Sequence, residues 1–327
     1  MTGTGSGDGV GGIVGWLKAG TVSRCRSNGT ITNNRKSVGG AIGWMTAGTV
    51  INSYAKGIVK GLGQVGGFVG YIYAEDDSYI LNCASGASRV VATNKAANDA
   101  VGGFVGYMNQ KSADFATKKV VIANSVAWES VIKAPNEDNA ASNKVRVGGF
   151  AGVMNYQSGG GANVILQNCY YQGLPTTMGC GGNVDDDSLP TVGPNQGGMV
   201  GIFGGYLKGV EKDCYADRAN DTENAIYAGS ASYYSGSSNQ NRLITAIMYG
   251  ESKITWAIKK VNGDTTSEGE IAGNTYYLDG LLNHVVNLVG STYAGVALST
   301  WDHYTVGTGK YFYPSALTEL GEDFYKK

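Results

Sequence analysis

The sequence predicts an all-β fold, a parallel β-helix wound from short coils, and three observations carry that reading. A Gly-rich phrase recurs six times: Val10-Gly-Gly-Ile-Val-Gly-Trp16, Val38-Gly-Gly-Ala-Ile-Gly-Trp44, Val65-Gly-Gly-Phe-Val-Gly-Tyr71, Val101-Gly-Gly-Phe-Val-Gly-Tyr107, Val147-Gly-Gly-Phe-Ala-Gly-Val153 and Gln196-Gly-Gly-Met-Val-Gly-Ile202. A second signature follows each phrase, an Asn or its substitute before a Cys or Ser, preceded in most units by β-branched and apolar residues. Helical periodicity is nearly absent before residue 240. Self-similarity at such a period marks a stacked, quasi-one-dimensional architecture.

The first element is the Gly phrase itself. The second glycines of the pairs stand at 12, 40, 67, 103, 149 and 198, giving intervals of 28, 27, 36, 46 and 49 residues. A constant minimum with growing excess reads as one coil plus surface insertions, which include Ala92–Ala100, Lys133–Lys144 and Leu174–Asn195. The glycines permit tight corners or close packing where a side chain would collide. The second element is a strand such as Thr49-Val50-Ile51 or Val120-Val121-Ile122, ending at Arg24-Cys25, Asn52-Ser53, Asn82-Cys83, Asn124-Ser125, Asn168-Cys169 and Asp213-Cys214. Asn tolerates the left-handed backbone region, so each Asn predicts a bend. The third element is a strand such as Gly29-Thr-Ile-Thr32. Three strands and three corners make one rung, and equivalent residues stack at about 4.8 Å.

Composition fits a polar, weakly charged surface. The chain has 327 residues with 52 Gly and 5 Pro, which excludes collagen, and only 16% charged residues, leaving Asn, Ser, Thr, Gly and Tyr to cover the exterior. That surface suits an extracellular protein. The net charge of −1 comes without a long basic or acidic run, so nucleic acid is not an expected partner. No segment has the length and hydropathy of a membrane helix, so membrane insertion is not expected. The repeat starts within the first dozen residues, so Met1 reads as a trimmed boundary.

The six phrases resemble the GLUG motif, a Gly-Gly-hydrophobic-hydrophobic-Gly repeat of bacterial secreted and cell-surface proteins that also occurs in non-catalytic parts of immunoglobulin A peptidases. The match covers residues about 10–217. The resemblance implies a right-handed parallel β-helix on a larger bacterial surface protein, with adhesion to an extracellular glycan or a host or matrix protein. Residues 1–217 are therefore expected to form the repeats, and 218–327 degenerate final coils and a cap over the open end. Within the latter, Asn274-Thr-Tyr-Tyr-Leu-Asp279 reads as one more degenerate rung, and Arg242–Lys259 and Asp279–Val289 as stretches containing short helices.

Few residues carry the pattern of a reactive site. Cys25, Cys83, Cys169 and Cys214 share the position held by Ser53 and Ser125, which asks for a small buried side chain and favours free thiols; Cys180 falls in an insertion. A single disulfide and a metal site are the minor alternatives, and no Cys-x-x-Cys pair supports zinc. Asn183, Asp185 and Asp187 alternate like a calcium loop, but Ser188 and Pro194 replace its Gly and Glu, so a solvated turn is preferred; Glu75-Asp76-Asp77 reads the same way. The two histidines, His284 and His303, form no His-Glu-x-x-His motif, and no Gly-x-Ser-x-Gly elbow accompanies them. No catalytic residue and no cofactor is expected.

Tyrosine is the enriched functional side chain, with 21 copies. Tyr54, Tyr170, Tyr171 and Tyr215 follow the Asn-Cys/Ser corner and are the candidate ligand contacts, with stacking between rungs as the equal alternative. Tyr276 and Tyr277 follow the degenerate corner. Trp16, Trp44, Tyr71 and Tyr107 follow the third Gly and read mainly as structural stacking. The expected function is non-enzymatic adhesion; a carbohydrate-active enzyme of the lyase or glycosidase type and a passive spacer are the alternatives.

Overall fold

The computed structural model describes residues 9–94, 99–111, 117–128, 130–135, 145–154, 163–173, 177–181, 184–185, 188–190, 199–201, 203–207, 209–212, 214–217, 243–247, 253–254, 276–277, 282–283, 285–287, 292–306 and 309–321. Most of them are strand, arranged as stacked parallel sheets. The chain visits four sheets in a fixed order and then begins again; sheets I to III take one strand from each of six successive windings, and sheet IV takes one or two.

Sheet I holds Val10–Gly11, Lys36–Gly39, Gly63–Gly66, Ala100–Gly102, Arg146–Gly148 and Met199–Gly201. Sheet II holds Val14–Leu17, Ile42–Met45, Val69–Ala74, Val105–Gln110, Ala151–Met154 and Gly204–Leu207. Sheet III runs through Thr21–Ser23, Gly48–Ile51, Ser78–Leu81, Val120–Ala123, Val164–Gln167 and Val210–Lys212. Sheet IV begins with the long strands Arg26–Thr32, Tyr54–Gly61 and Ala84–Ala92. It continues with Val126–Trp128 and Val131–Ala134, Tyr170–Gln172 and Met178–Cys180, then Cys214–Asp217.

The sequence leads to three strands per rung, and the structure has four. The Gly pair is itself a corner that splits its phrase between sheets I and II. A Cβ on Gly66 would stand 1.9 Å from the Val69 carbonyl oxygen, and one on Gly67 2.1 Å from that of Gly103, so both positions exclude every other residue. Equivalent residues lie in register: Val10, Val38, Val65, Val101, Val147 and Val200 form one column of sheet I. The sixth phrase sits four residues later than its sequence placement. Gly201, not Gly197, pairs with Gly148, because Phe203 takes the inward position over Phe150 with rings 5.2 Å apart and parallel.

The core is the space enclosed by the sheets. Phe68, Phe104, Phe150 and Phe203 stack through it at centroid spacings of 4.9, 4.8 and 5.2 Å. Ile80, Ile122, Val90, Ile132 and Met178 close around them.

The corner between sheets III and IV follows the sequence reading. Arg24, Asn52, Asn82, Asn124 and Asn168 all have φ between 49° and 55°. The Cys or Ser after each points into the core. Ser53 Oγ donates to the carbonyl of Ile51 at 2.8 Å and Cys83 Sγ to that of Leu81 at 3.2 Å, which is why the two residue types interchange.

Beyond residue 217 the structure departs from expectation. Leu243–Ile247, within the stretch Arg242–Lys259 expected to contain short helices, is a strand that pairs parallel with Cys214–Asp217. Tyr276–Tyr277 pairs antiparallel with Lys253–Ile254 and is not another rung. Helical residues do occur at 282–283 and 285–287, inside the expected Asp279–Val289. The described part of the C-terminal segment, 282–321, lies along the flank of the stack and not over its end. It contains the hairpins Thr292–Tyr293/Val296–Ala297 and Trp301–Val306/Gly309–Pro314 and the 3-10 turn Ser315–Leu320.

Candidate functional site

The flank segment decides which surfaces are free. At the corner, Asn82 Nδ2 donates to Asn52 Oδ1 at 3.1 Å, Asn124 to Asn82 at 2.9 Å and Asn168 to Asn124 at 2.8 Å. The second hydrogen of each amide points outward to the segment. Asn82 donates to the carbonyl of Ala297 (3.2 Å), Asn124 to that of Ser299 (2.8 Å) and Asn168 to that of Leu282 (3.0 Å). The amide oxygens are shared likewise, Asn82 Oδ1 accepting from Ser299 N and Asn124 Oδ1 from the Trp301 indole. Arg24 closes the first winding with a 2.6 Å ion pair to Glu319. The segment thus spans the windings from the fifth at Leu282 to the first at Glu319, touching the third at Ala297 and returning to the fourth and fifth by Phe312.

That course buries the expected ligand contacts. Tyr54, Tyr170 and Tyr215 stand in one outward column of sheet IV, with Ala84 and Val126 between the first two. The two small residues leave a trough, and Leu282, Trp301, Phe312 and Leu317 fill it. Exposure of these tyrosines is 0%, 0% and 2%, and Tyr171, which faces the core, is also at 0%. None of the four has surface to offer a ligand, and they are reassigned to packing. Tyr276 and Tyr277 lie in the short antiparallel pair with Lys253–Ile254, their side chains outside the described set.

Sheet II has the opposite character. Trp16, Trp44, Tyr71 and Tyr107 occupy one outward column, continued by Val153 and Tyr206. Trp16 and Trp44 stack at 4.5 Å with planes 2° apart, Trp44 and Tyr71 at 6.0 Å, while Tyr107 stands edge-on to Tyr71 at 5.5 Å. Trp16 is 46% exposed, Trp44, Tyr71, Tyr107 and Tyr206 are half-buried, and Val153 is buried. A second row lies two residues further on the same face: Lys18, whose Nζ is 3.7 Å from the Trp16 ring centre, Thr46, which accepts from Trp16 Nε1, and Tyr73, 5.9 Å from Tyr71. Burial first, then the neighbouring Tyr107 and Tyr73, pushes the Tyr71 phenol above its ordinary pKa, so its hydroxyl stays a donor. Sequence reasoning assigned this column to structure and overlooked the second row. The alternation Trp16/Lys18, Tyr71/Tyr73 was the available signal.

The remaining candidates are quickly placed. Asp185 is exposed, and its carboxylate ion-pairs with Lys60, a cation where calcium would need anions; Asn183 and Asp187 lie outside the described residues. In the 75–77 turn, Lys111 pairs with Glu75 at 3.3 Å and Lys118 with Asp76 at 2.7 Å. The hydrogen bond from Lys118 holds the Asp76 carboxyl below its usual range. Among the described residues, no three His, Cys, Asp or Glu side chains gather as a metal site would. All five cysteines are free thiols; Cys180 lies in a strand, and Cys83 is pushed up to about 12 by burial. His303 packs near Phe312 with ring centres 5.7 Å apart, and His284 lies outside the described residues. Among those residues no helix is long and apolar enough to cross a membrane. No protein-family model, curated protein or solved structure matches the chain.

Proposed function

We propose that this chain is a non-enzymatic segment of a bacterial cell-surface protein, a right-handed parallel β-helix of the GLUG type that adheres to an extracellular glycan or to a host or matrix protein. Right-handed connection between parallel strands is the general rule for such crossovers. The supporting observation is the aromatic column of sheet II. Among the described residues it is a partly exposed array of large rings, it lies on a face that the flank segment leaves uncovered, and the Lys18 ammonium and Tyr73 hydroxyl border it. Aromatic rings flanked by polar groups are the usual anchors of glycan and protein recognition.

A glycan and matrix-protein array with the full chain tests this. A ligand retained by the unaltered protein is expected to be lost by Trp16→Ala and by Tyr73→Ala, with both variants still folded by circular dichroism. Retention of every ligand by both variants would sink the assignment of this face. One observation favours the spacer reading: Trp16 and Trp44 turn their faces to each other. An array without any ligand would establish it.

A further inference from the structure

Two residues before Val38, Val65, Val101 and Val147 stand Lys36, Gly63, Asp99 and Val145, on the same face of sheet I. Val145 packs in the core, yet the winding before it places a carboxyl group at that position. The Asp99 side chain is 0% exposed. Gly63 provides its space, for a Cβ there would stand 2.3 Å from Asp99 Cγ.

Asp99 meets two other side chains. Lys36 Nζ lies 3.1 Å from Oδ1, and Asn94 Nδ2 donates to Oδ2 at 2.9 Å. The main chain brings the three together. Leu62 N donates to the carbonyl of Arg35 at 2.9 Å and Asn94 N to that of Leu62 at 2.8 Å, so the corner leading into sheet I stacks residues 35, 62 and 94. Lys36 opens the second winding, and Asn94 follows the last strand of the third. Two strand spacings, roughly 10 Å, separate such positions, a gap that a lysine and an asparagine side chain can close. An amine and a carboxamide thus meet on the two oxygens of one buried carboxyl. Keeping that carboxyl as an anion away from water is costly even beside an ammonium. A reaction that leaves it neutral removes the cost.

We propose that Lys36 and Asn94 join in an intramolecular isopeptide bond, with Asp99 as the proton carrier. Asp99 takes one proton from the Lys36 ammonium, and the freed amine attacks Asn94 Cγ. A C–N bond forms and the amide oxygen gains the electron pair. Asp99 delivers its proton to Asn94 Nδ2 and removes one from Nζ. The carbonyl re-forms as the old C–N bond breaks, and ammonia leaves. The products are a secondary amide, ammonia and a neutral Asp99 carboxyl, with no oxidant or reductant consumed. Neighbours held in place make the attack effectively unimolecular, and a carboxyl within reach of both nitrogens is suited to move the protons. The bond ties the second winding to the third across Gly63, where the insertion Ala92–Ala100 departs from the stack. It needs no ligand and so stands apart from the adhesion reading.

Intact-mass spectrometry of the full chain tests this. The mass is expected to fall short of the sequence value by one ammonia, and digestion should release a branched peptide that joins Lys36 to Asn94. Lys36→Arg keeps the positive charge but cannot form the bond, so its mass should match its sequence. Asp99→Asn leaves both reacting groups in place and should likewise show no deficit. The proposal is overturned by an unaltered protein of full sequence mass, or by a deficit of one water with Lys36 joined to Asp99. It is also overturned by an ammonia deficit that persists in Lys36→Arg, which marks ring closure at an asparagine, or in Asp99→Asn. Should Asp99→Asn fail to fold, Lys36→Arg and the branched peptide decide.

Discussion

The six windings and the segment that lies on their flank are held by different means. In the windings, main-chain hydrogen bonds join each strand to the next, and like side chains stack in file, as with Phe68, Phe104, Phe150 and Phe203. In the segment, the described strands pair only with one another, and the grip on the stack comes from side chains: asparagine amides, the Trp128 indole donating to Phe312 O at 2.9 Å, and one ion pair. A repeating array can be extended by adding equivalent rungs. The flank segment cannot, because each of its contacts matches one particular winding. The repeated part thus sets the shape, and the unrepeated part decides which side of that shape meets water.

Three substitutions sharpen the contrast. Phe104→Ala should have the largest effect, a loss of about 3–5 kcal/mol in urea unfolding, since it opens a hole within the central file. Smaller loss, below about 1 kcal/mol, would mean that the windings do not pack as one core. Asn124→Ala comes next, at about 1–3 kcal/mol. That residue serves both regions, giving one hydrogen to Asn82 and one to Ser299. Amide hydrogen exchange at Asn82 and throughout 296–301 should accelerate together; acceleration confined to one side would show that the two regions are not coupled there. Glu319→Gln should cost under about 1 kcal/mol, because its bond to Arg24 is solvent-exposed. Its signature is faster exchange at 315–320 with the windings unaffected, and the difference from the unaltered protein should shrink as salt rises.

The sequence carried the windings because a stack writes its register into the chain. Asn52, Asn82, Asn124 and Asn168 repeat since a left-handed backbone bend recurs at that place, and Cys and Ser alternate beside them since both can donate to the carbonyl two residues back. Other features left no such trace. The Gly pair was legible as a tight corner or a close approach, but the phrase around it reads as one strand, because glycine is neutral between strand and corner until its neighbours are known. The sixth phrase was misplaced by the accident of Gly197-Gly198, where only the inward ring of Phe203 reveals the true register. Tyr54, Tyr170 and Tyr215 looked available because their cover, Trp301 and Phe312, comes from a stretch with no repeat to predict it. Leu243–Ile247, whose Ile244, Thr245 and Ile247 favour a strand, pairs with the edge left by Cys214–Asp217.

The Arg24–Glu319 bond joins positions 295 residues apart. At the usual pace of synthesis, roughly 5–20 residues per second, the first winding waits about 15–60 seconds before its clasp can exist. During that interval Tyr54 and its neighbours are sticky and bare. Whatever escorts the nascent polypeptide therefore meets a hydrophobic strip that the finished molecule conceals.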